Sequence, residues 1–183
     1  MDEKNGQNLV WVDLEMTGLD PAEDVIVQIA VIVTDRELNE IAEPLDLTVW
    51  HPSEVLDRMS PFVRAMHEKS GLLRAIQTSE TSLADAEREA LTLVSIHCEY
   101  GTGRLCGNSI WQDRRFLHRY MPAFENYLHY RMIDVSTLKE LAGWWYGVHH
   151  EKPDGSHHTA LWDIRQSIEE LKYYRERVFR TAE

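Results

Sequence analysis

Residues 25–34 read VIVQIAVIVT, an almost wholly apolar run rich in β-branched side chains. A run this short is a strand rather than a helix, and apolar residues on both of its faces need cover on both sides. It belongs at the centre of a sheet. Residues 8–15 (NLVWVDLE) form a second Val-rich apolar run between polar flanks, again too short for a helix. Residues 44–50 (PLDLTVW) alternate and read as a third strand, reached through the polar turn at 35–39. The chain therefore opens as a three-stranded antiparallel meander.

Helical spacing takes over downstream. Ser60 is a capping residue followed by Pro61 at the first helical position, and Gly71 stands where a helix ends. Leu83, Ala86, Ala90, Leu93, Val94 and His97 recur at helical intervals. Residues 104–107 and 132–135 are further strand candidates, and Ser136 is placed to cap a helix running to Trp145. Leu161, Ile164, Ile168, Leu171, Tyr174 and Val178 mark the core face of a last helix. Residues 147–157 (GVHHEKPDGSH) have no periodicity and read as a loop. The expected fold class is α/β, a mixed sheet flanked by helices, in a single domain over residues 1–183.

Charge narrows the partners. The formal net charge is −12, with the acidic excess in residues 1–100 and near neutrality beyond. Long duplex nucleic acid is a poor partner for such a chain, because duplex binding draws on many Lys and Arg contacts. Contact with an anion falls to the second half or to cations held by the acidic first half. The two cysteines, Cys98 and Cys106, make no disulfide framework and fit a reducing cytoplasm. The N-terminus is polar, and no stretch approaches the roughly 20 apolar residues of a membrane span.

The chemistry starts with Asp13 and Glu15. Alternation within a strand points both carboxylates to one face, where like charges repel unless a cation neutralises them. Taken alone, the pair reads more readily as the solvated face of an edge strand than as a metal site. Asp113 follows the loop 107–109, and Asp163 lies at the start of the last helix, five residues after His158. Oxygen-only ligands favour Mg²⁺ or Mn²⁺ over softer ions. His149, His150, His157 and His158 offer a rival zinc reading, but a Pro-Asp-Gly turn splits them, against the regular spacing such a site wants.

Asp-x-Glu in the first strand, a mid-chain Asp and His-x4-Asp near the C-terminus resemble the DEDDh family of 3′→5′ exonucleases. VWVDLEMTGLDP (10–21), CGNSIWQDRRFLHRYMP (106–122), HYRMIDVSTLKEL (129–141) and HTALWDIRQSIEELKYYRE (158–176) are similar, within it, to the oligoribonucleases. The likeness runs from about residue 8 to 178 and is weak over 142–157. It implies a ribonuclease H-like fold and hydrolysis of very short RNAs, chiefly dinucleotides, to 5′-mononucleotides. It implies two divalent cations held by Asp13, Glu15, Asp113 and Asp163, with His158 as general base. Leu19 is implied as a wedge between bases and His67 as a substrate contact, otherwise a surface histidine. Ser109, Arg131 and Ser136 are implied around the 5′ phosphate. A homodimer is implied in which Tyr130 reaches the partner's substrate.

Two positions depart from the family pattern. Gln28 stands where an acidic residue is expected, and Trp162 where Asp is common. Trp144, Trp145, Tyr146 and the pair Tyr173 and Tyr174 could stack bases but are expected in the core. Two other functions stay open: a general single-strand DNA or RNA 3′→5′ exonuclease, and a non-catalytic RNA-binding module.

Overall fold

A computed structural model describes residues 8–151 and 159–179. Strands β1 (Leu9–Met16), β2 (Ile26–Thr34) and β3 (Leu45–Thr48) pair antiparallel in sequence order. Four helices follow: α1 (Ser53–Leu56), α2 (Pro61–Ser70), α3 (Leu72–Thr78) and α4 (Leu83–His97). Strand β4 (Arg104–Gly107) then joins β1 in parallel, and β5 (Met132–Asp134) joins β4 in parallel after α5 (Ile110–Tyr120) and α6 (Pro122–Tyr127). Helices α7 (Val135–Tyr146) and α8 (Ala160–Val178) complete the order. The sheet reads β3-β2-β1-β4-β5, so the meander and the mixed pairing expected from the sequence are both present.

All nine residues of β2 are buried, because helices cover both faces of the sheet. Val10, Val12 and Leu14 of β1 face α4, α5 and α6, packed with Ile29, Val31 and Val33. Leu9 and Trp11 face the other way, onto α7 and α8 with Ala30 and Ile32. Trp11 is fully buried and its indole N–H donates to Thr34 Oγ1 at 3.0 Å, which removes the cost of desolvating that donor. The alternation places Asp13 and Glu15 on the α8 side. Of the apolar positions expected on the core face of α8, Ile164, Ile168 and Tyr174 are the buried ones. No helix of the described residues is long and apolar enough to cross a membrane.

The caps partly depart from expectation. Ser60 caps α2 by accepting from the Val63 N–H, and Gly71 ends it at φ 81°, a left-handed conformation that favours glycine. Ser136 does not cap α7. Asp134 does, through a carboxylate that accepts from the Ser136 N–H at 3.0 Å, and Ser136 lies inside the first turn. The aromatic run in α7 also differs: Trp144, Trp145 and Tyr146 are 59–71% exposed. Three consecutive helical residues fan through most of a turn and cannot share one face, and α7 turns Ala142 inward instead. Tyr174 does lie in the core, fully buried.

Candidate active site

The site forms where β1 outruns its parallel neighbour. The β1–β4 register ends at Trp11 opposite Cys106, and β4 stops at Gly107. A Cβ at Gly107 would lie 3.0 Å from the Val12 carbonyl oxygen, so glycine lets the two backbones approach. Beyond that point the Leu14 N–H needs another acceptor. Asp113, in the first turn of α5, supplies Oδ1 at 3.0 Å. Asp113 is thereby locked behind β1, between the two carboxylates of that strand, and is 7% exposed.

Asp13, Glu15 and Asp163 converge in front. One carboxylate oxygen from each lies within 4.8 Å of the other two, all three groups being half-buried. Thr159 caps α8, accepting from the Trp162 N–H at 3.3 Å, and so delivers Asp163 one turn into the helix over the β1 face. That cap uses the backbone of Trp162, so a tryptophan in place of Asp leaves it intact. Burial, then the charge of Asp163, pushes Glu15 up from the usual carboxylate range to about 7. Burial likewise pushes Asp113 up to about 7, against the Leu14 hydrogen bond and with Glu15 adding to the rise. Crowded, desolvated oxygens of this kind fit a hard divalent cation. Asp113 does not join the close triad. His157 and His158 lie outside the described residues, so the zinc reading rests on His149 and His150, which join no metal-competent group among the described residues.

Gln28 sits opposite Glu15 across the β1–β2 ladder, 8% exposed, and donates its amide to Asp46 Oδ1 at 2.7 Å. A carboxylate there would face Asp46 and Glu15 together. The amide removes that repulsion.

The raised carboxylates predict a pH effect on the metal-free protein. A carboxyl whose value rises on folding favours the fold while protonated, so its contribution is complete near pH 4 and is lost as pH climbs to about 7. For Glu15 the loss is of order 3 kcal/mol. The melting temperature in EDTA should therefore fall between pH 5 and pH 7.5 by roughly 5–10 °C. Glu15→Gln should recover part of the fall. A melting temperature at pH 7.5 that ignores this substitution would refute the burial of charge at Glu15.

The remaining candidates surround this centre. Leu19 is 69% exposed on a rigid turn: Thr17 and Asp24 bond across its base, Gln112 donates to the Leu19 carbonyl at 2.6 Å, and Tyr120 donates to Pro21 and Asp24. His67 is not the surface histidine expected. It is 1% exposed with Nε2 on the Met16 carbonyl at 2.9 Å, and so fastens α2 to the end of β1 beside Glu15. Ser109 holds a left-handed φ of 52°, with its N–H shared between Asp134 Oδ1 and Ser136 Oγ, each at 2.9 Å. Ser109 and Ser136 therefore meet, their hydroxyls 3.3 Å apart. Arg131 and Tyr130 are exposed on the loop before β5, the guanidinium 5.3 Å from the ring centre. Sequence reasoning missed Asn108, Asp134 and Glu170, which bond beneath the serines. Their signal is faint: Asn108 precedes Ser109, Asp134 stands two residues before Ser136, and nothing in the sequence sets Glu170 apart.

A family described as Exonuclease, of RNase T type, matches residues 10–171. An oligoribonuclease of Pseudomonas entomophila is 51% identical over 174 residues, spanning 94% of this chain and 97% of that protein. An oligoribonuclease of Dichelobacter nodosus is 48% identical over 179 residues, with 98% of each covered. Among solved structures, exonuclease I of Methylocaldum szegediense superposes with a TM-score of 0.70 at 24% identity. E. coli exonuclease I in complex with a dT13 oligonucleotide superposes with 0.69 at 20% identity. The chain spans 41% of the length of each of these exonuclease I chains, and the likeness is one of fold.

Proposed function

Because the chain belongs to the oligoribonuclease family of 3′→5′ exonucleases, we propose that it hydrolyses RNAs of two to a few nucleotides to 5′-mononucleotides. The observation that carries this is the convergence of Asp13, Glu15 and Asp163 at the end of β1, with Asp113 buried behind them. These four residues would hold two divalent cations, Mg²⁺ or Mn²⁺, which when bound supply charge neutralisation at the scissile phosphate and activation of water.

The chain's own groups do the rest. His158 takes the proton of the attacking water, its ordinary value near 6.5 suiting that transfer at neutral pH. Leu19, projecting from its braced turn, separates the two bases. His67, buried beneath the site, acts on the substrate only through the end of β1 that it holds beside Glu15. Ser109, Arg131 and Ser136 receive the 5′ phosphate, and Tyr130 enters the site of a second copy in a homodimer. A pocket closed at the 5′ end excludes long strands, and this agrees with the charge of −12. The buried thiols of Cys98 and Cys106 and the absence of a spanning helix among the described residues support a place in the cytoplasm.

The test is a length series with Mn²⁺. Turnover should be greatest on a dinucleotide and fall steeply by five or six nucleotides. Equal cleavage of a 20-mer would instead make the chain a general exonuclease, and dinucleotide binding without turnover would make it a non-catalytic module.

A further inference from the structure

Glu170 has a fully buried side chain, two helical turns along α8 from Asp163 and outside the chemistry described above. It lies on the α8 stripe that also carries Asp163, Ser167 and Tyr174. Its Oε1 accepts from the Tyr174 hydroxyl at 3.2 Å and lies 3.7 Å from the Lys139 ammonium. Its Oε2 accepts from Asn108 Nδ2 at 3.1 Å.

A carboxylate only accepts, and this sets the direction of every bond that follows. Asn108 must turn its NH₂ towards Glu170, and the same nitrogen reaches Ser167 Oγ at 2.8 Å. Ser167 has already given its own proton to the Asp163 carbonyl at 3.0 Å. The Asn108 oxygen is left facing Ser136, whose hydroxyl donates to it at 3.0 Å. With that proton committed, Ser136 Oγ can only accept from residue 109. It takes the Ser109 N–H at 2.9 Å, and in the 3.3 Å contact between the two hydroxyls Ser109 is the donor. A contact that long is weak, so the Ser109 proton is the one free to move to an incoming oxygen.

We propose that Glu170 is a positioning residue which, by fixing the Asn108 amide, makes Ser109 rather than Ser136 the hydroxyl that donates to the substrate's 5′ phosphate. This rests on the reading that Ser109, Arg131 and Ser136 receive that phosphate. It refines the reading, because Ser136 becomes an acceptor that aims its neighbour.

The experiment uses the full chain with Mn²⁺ and one dinucleotide prepared with and without a 5′ phosphate, kcat and KM being measured for both. Wild type should bind the phosphorylated form more tightly. If it makes no distinction, the phosphate reading falls before any variant is made, and the proposal falls with it. Glu170→Gln preserves shape but offers an NH₂ to Asn108, which lets the amide turn over. It should raise KM for the phosphorylated substrate about five- to tenfold, the scale of one hydrogen bond, with kcat retained. Both constants for the unphosphorylated substrate should stay put. Adding Asn108→Asp to Glu170→Gln restores an acceptor-only group beside Ser136, and the phosphate preference should return. Equal losses on both substrates, unrescued by Asn108→Asp, would reduce Glu170 to a structural residue and overturn the proposal. Ser109→Ala should cost more of the preference than Ser136→Ala. The opposite order overturns the assigned direction even if Glu170→Gln fails to fold.

Discussion

Alanine at Asp13, Glu15, Asp113 or Asp163 is expected to abolish hydrolysis, with a loss of about a thousandfold or more in kcat. Three of these side chains converge within one cation's reach, so removing any of them leaves too few oxygens to fix the geometry of the reaction. Asp113 differs, because its carboxylate also holds the Leu14 N–H of β1. Asp113→Ala strands that buried donor, at roughly 1–3 kcal/mol, and would cost activity even if Asp113 never met a cation. Asp113→Asn separates the two roles. Its carbonyl oxygen can still accept from Leu14 while the charge is gone, so an inactive, normally folded Asp113→Asn assigns the loss to the missing charge. Stability should move the other way at Glu15: Glu15→Gln melts higher than wild type in EDTA at pH 7.5 yet has no turnover. Isothermal titration with Mn²⁺ should show the four alanine variants binding more weakly than wild type. A variant with near wild-type turnover at saturating Mn²⁺ would remove its residue from the site.

The central sheet was legible because its signals are local and strong. Eight apolar residues among the ten at 25–34 leave one structural solution, and the alternation that puts Asp13 and Glu15 on one face is a property of any strand. What sequence could not reveal depends on contacts between distant segments. His67 reads as a surface residue from its helix, and only the arrival of β1 buries it, with the Met16 carbonyl fifty-one positions away as its partner. Ser136 has the composition of a cap, yet Asp134 two residues earlier takes that role. Asp134 is drawn there by the additional Ser109 N–H that it accepts across the β4–α5 turn. Nothing in the sequence separates Glu170 from the other charges of a helix rich in Glu and Arg. Its burial follows from Asn108, Tyr174 and Lys139 meeting around it, and no spacing rule encodes that meeting. The family likeness implies which residues belong to the site, but not its internal hydrogen-bond directions.

Tyr130→Ala should lose most activity, about a hundredfold, while leaving stability within about 0.5 kcal/mol of wild type, because the side chain covers almost nothing in its own subunit. Its ring is 71% exposed, stacked on His129 at 4.5 Å and flanked by the Arg131 guanidinium. The backbone beneath it is held firmly. Arg114 donates to the Tyr130 carbonyl at 2.8 Å and the His129 carbonyl at 3.3 Å, and is itself anchored by the buried Glu125. In the proposed dimer, a large aromatic fixed at its base and bare at its tip would enter the site of the other copy. In a two-fold dimer the contact is reciprocal, so each copy would give one Tyr130 and receive one. Mixing inactive Asp113→Ala with inactive Tyr130→Ala tests this directly. Each mixed dimer would contain one site with all four carboxylates and a Tyr130 supplied by the other copy. Under random exchange half of the dimers are mixed and each has one working site of two, so about a quarter of wild-type activity should return. Heterodimers that form, as shown by differently tagged subunits eluting together, but remain inactive would confine Tyr130 to its own subunit and end the shared-site idea.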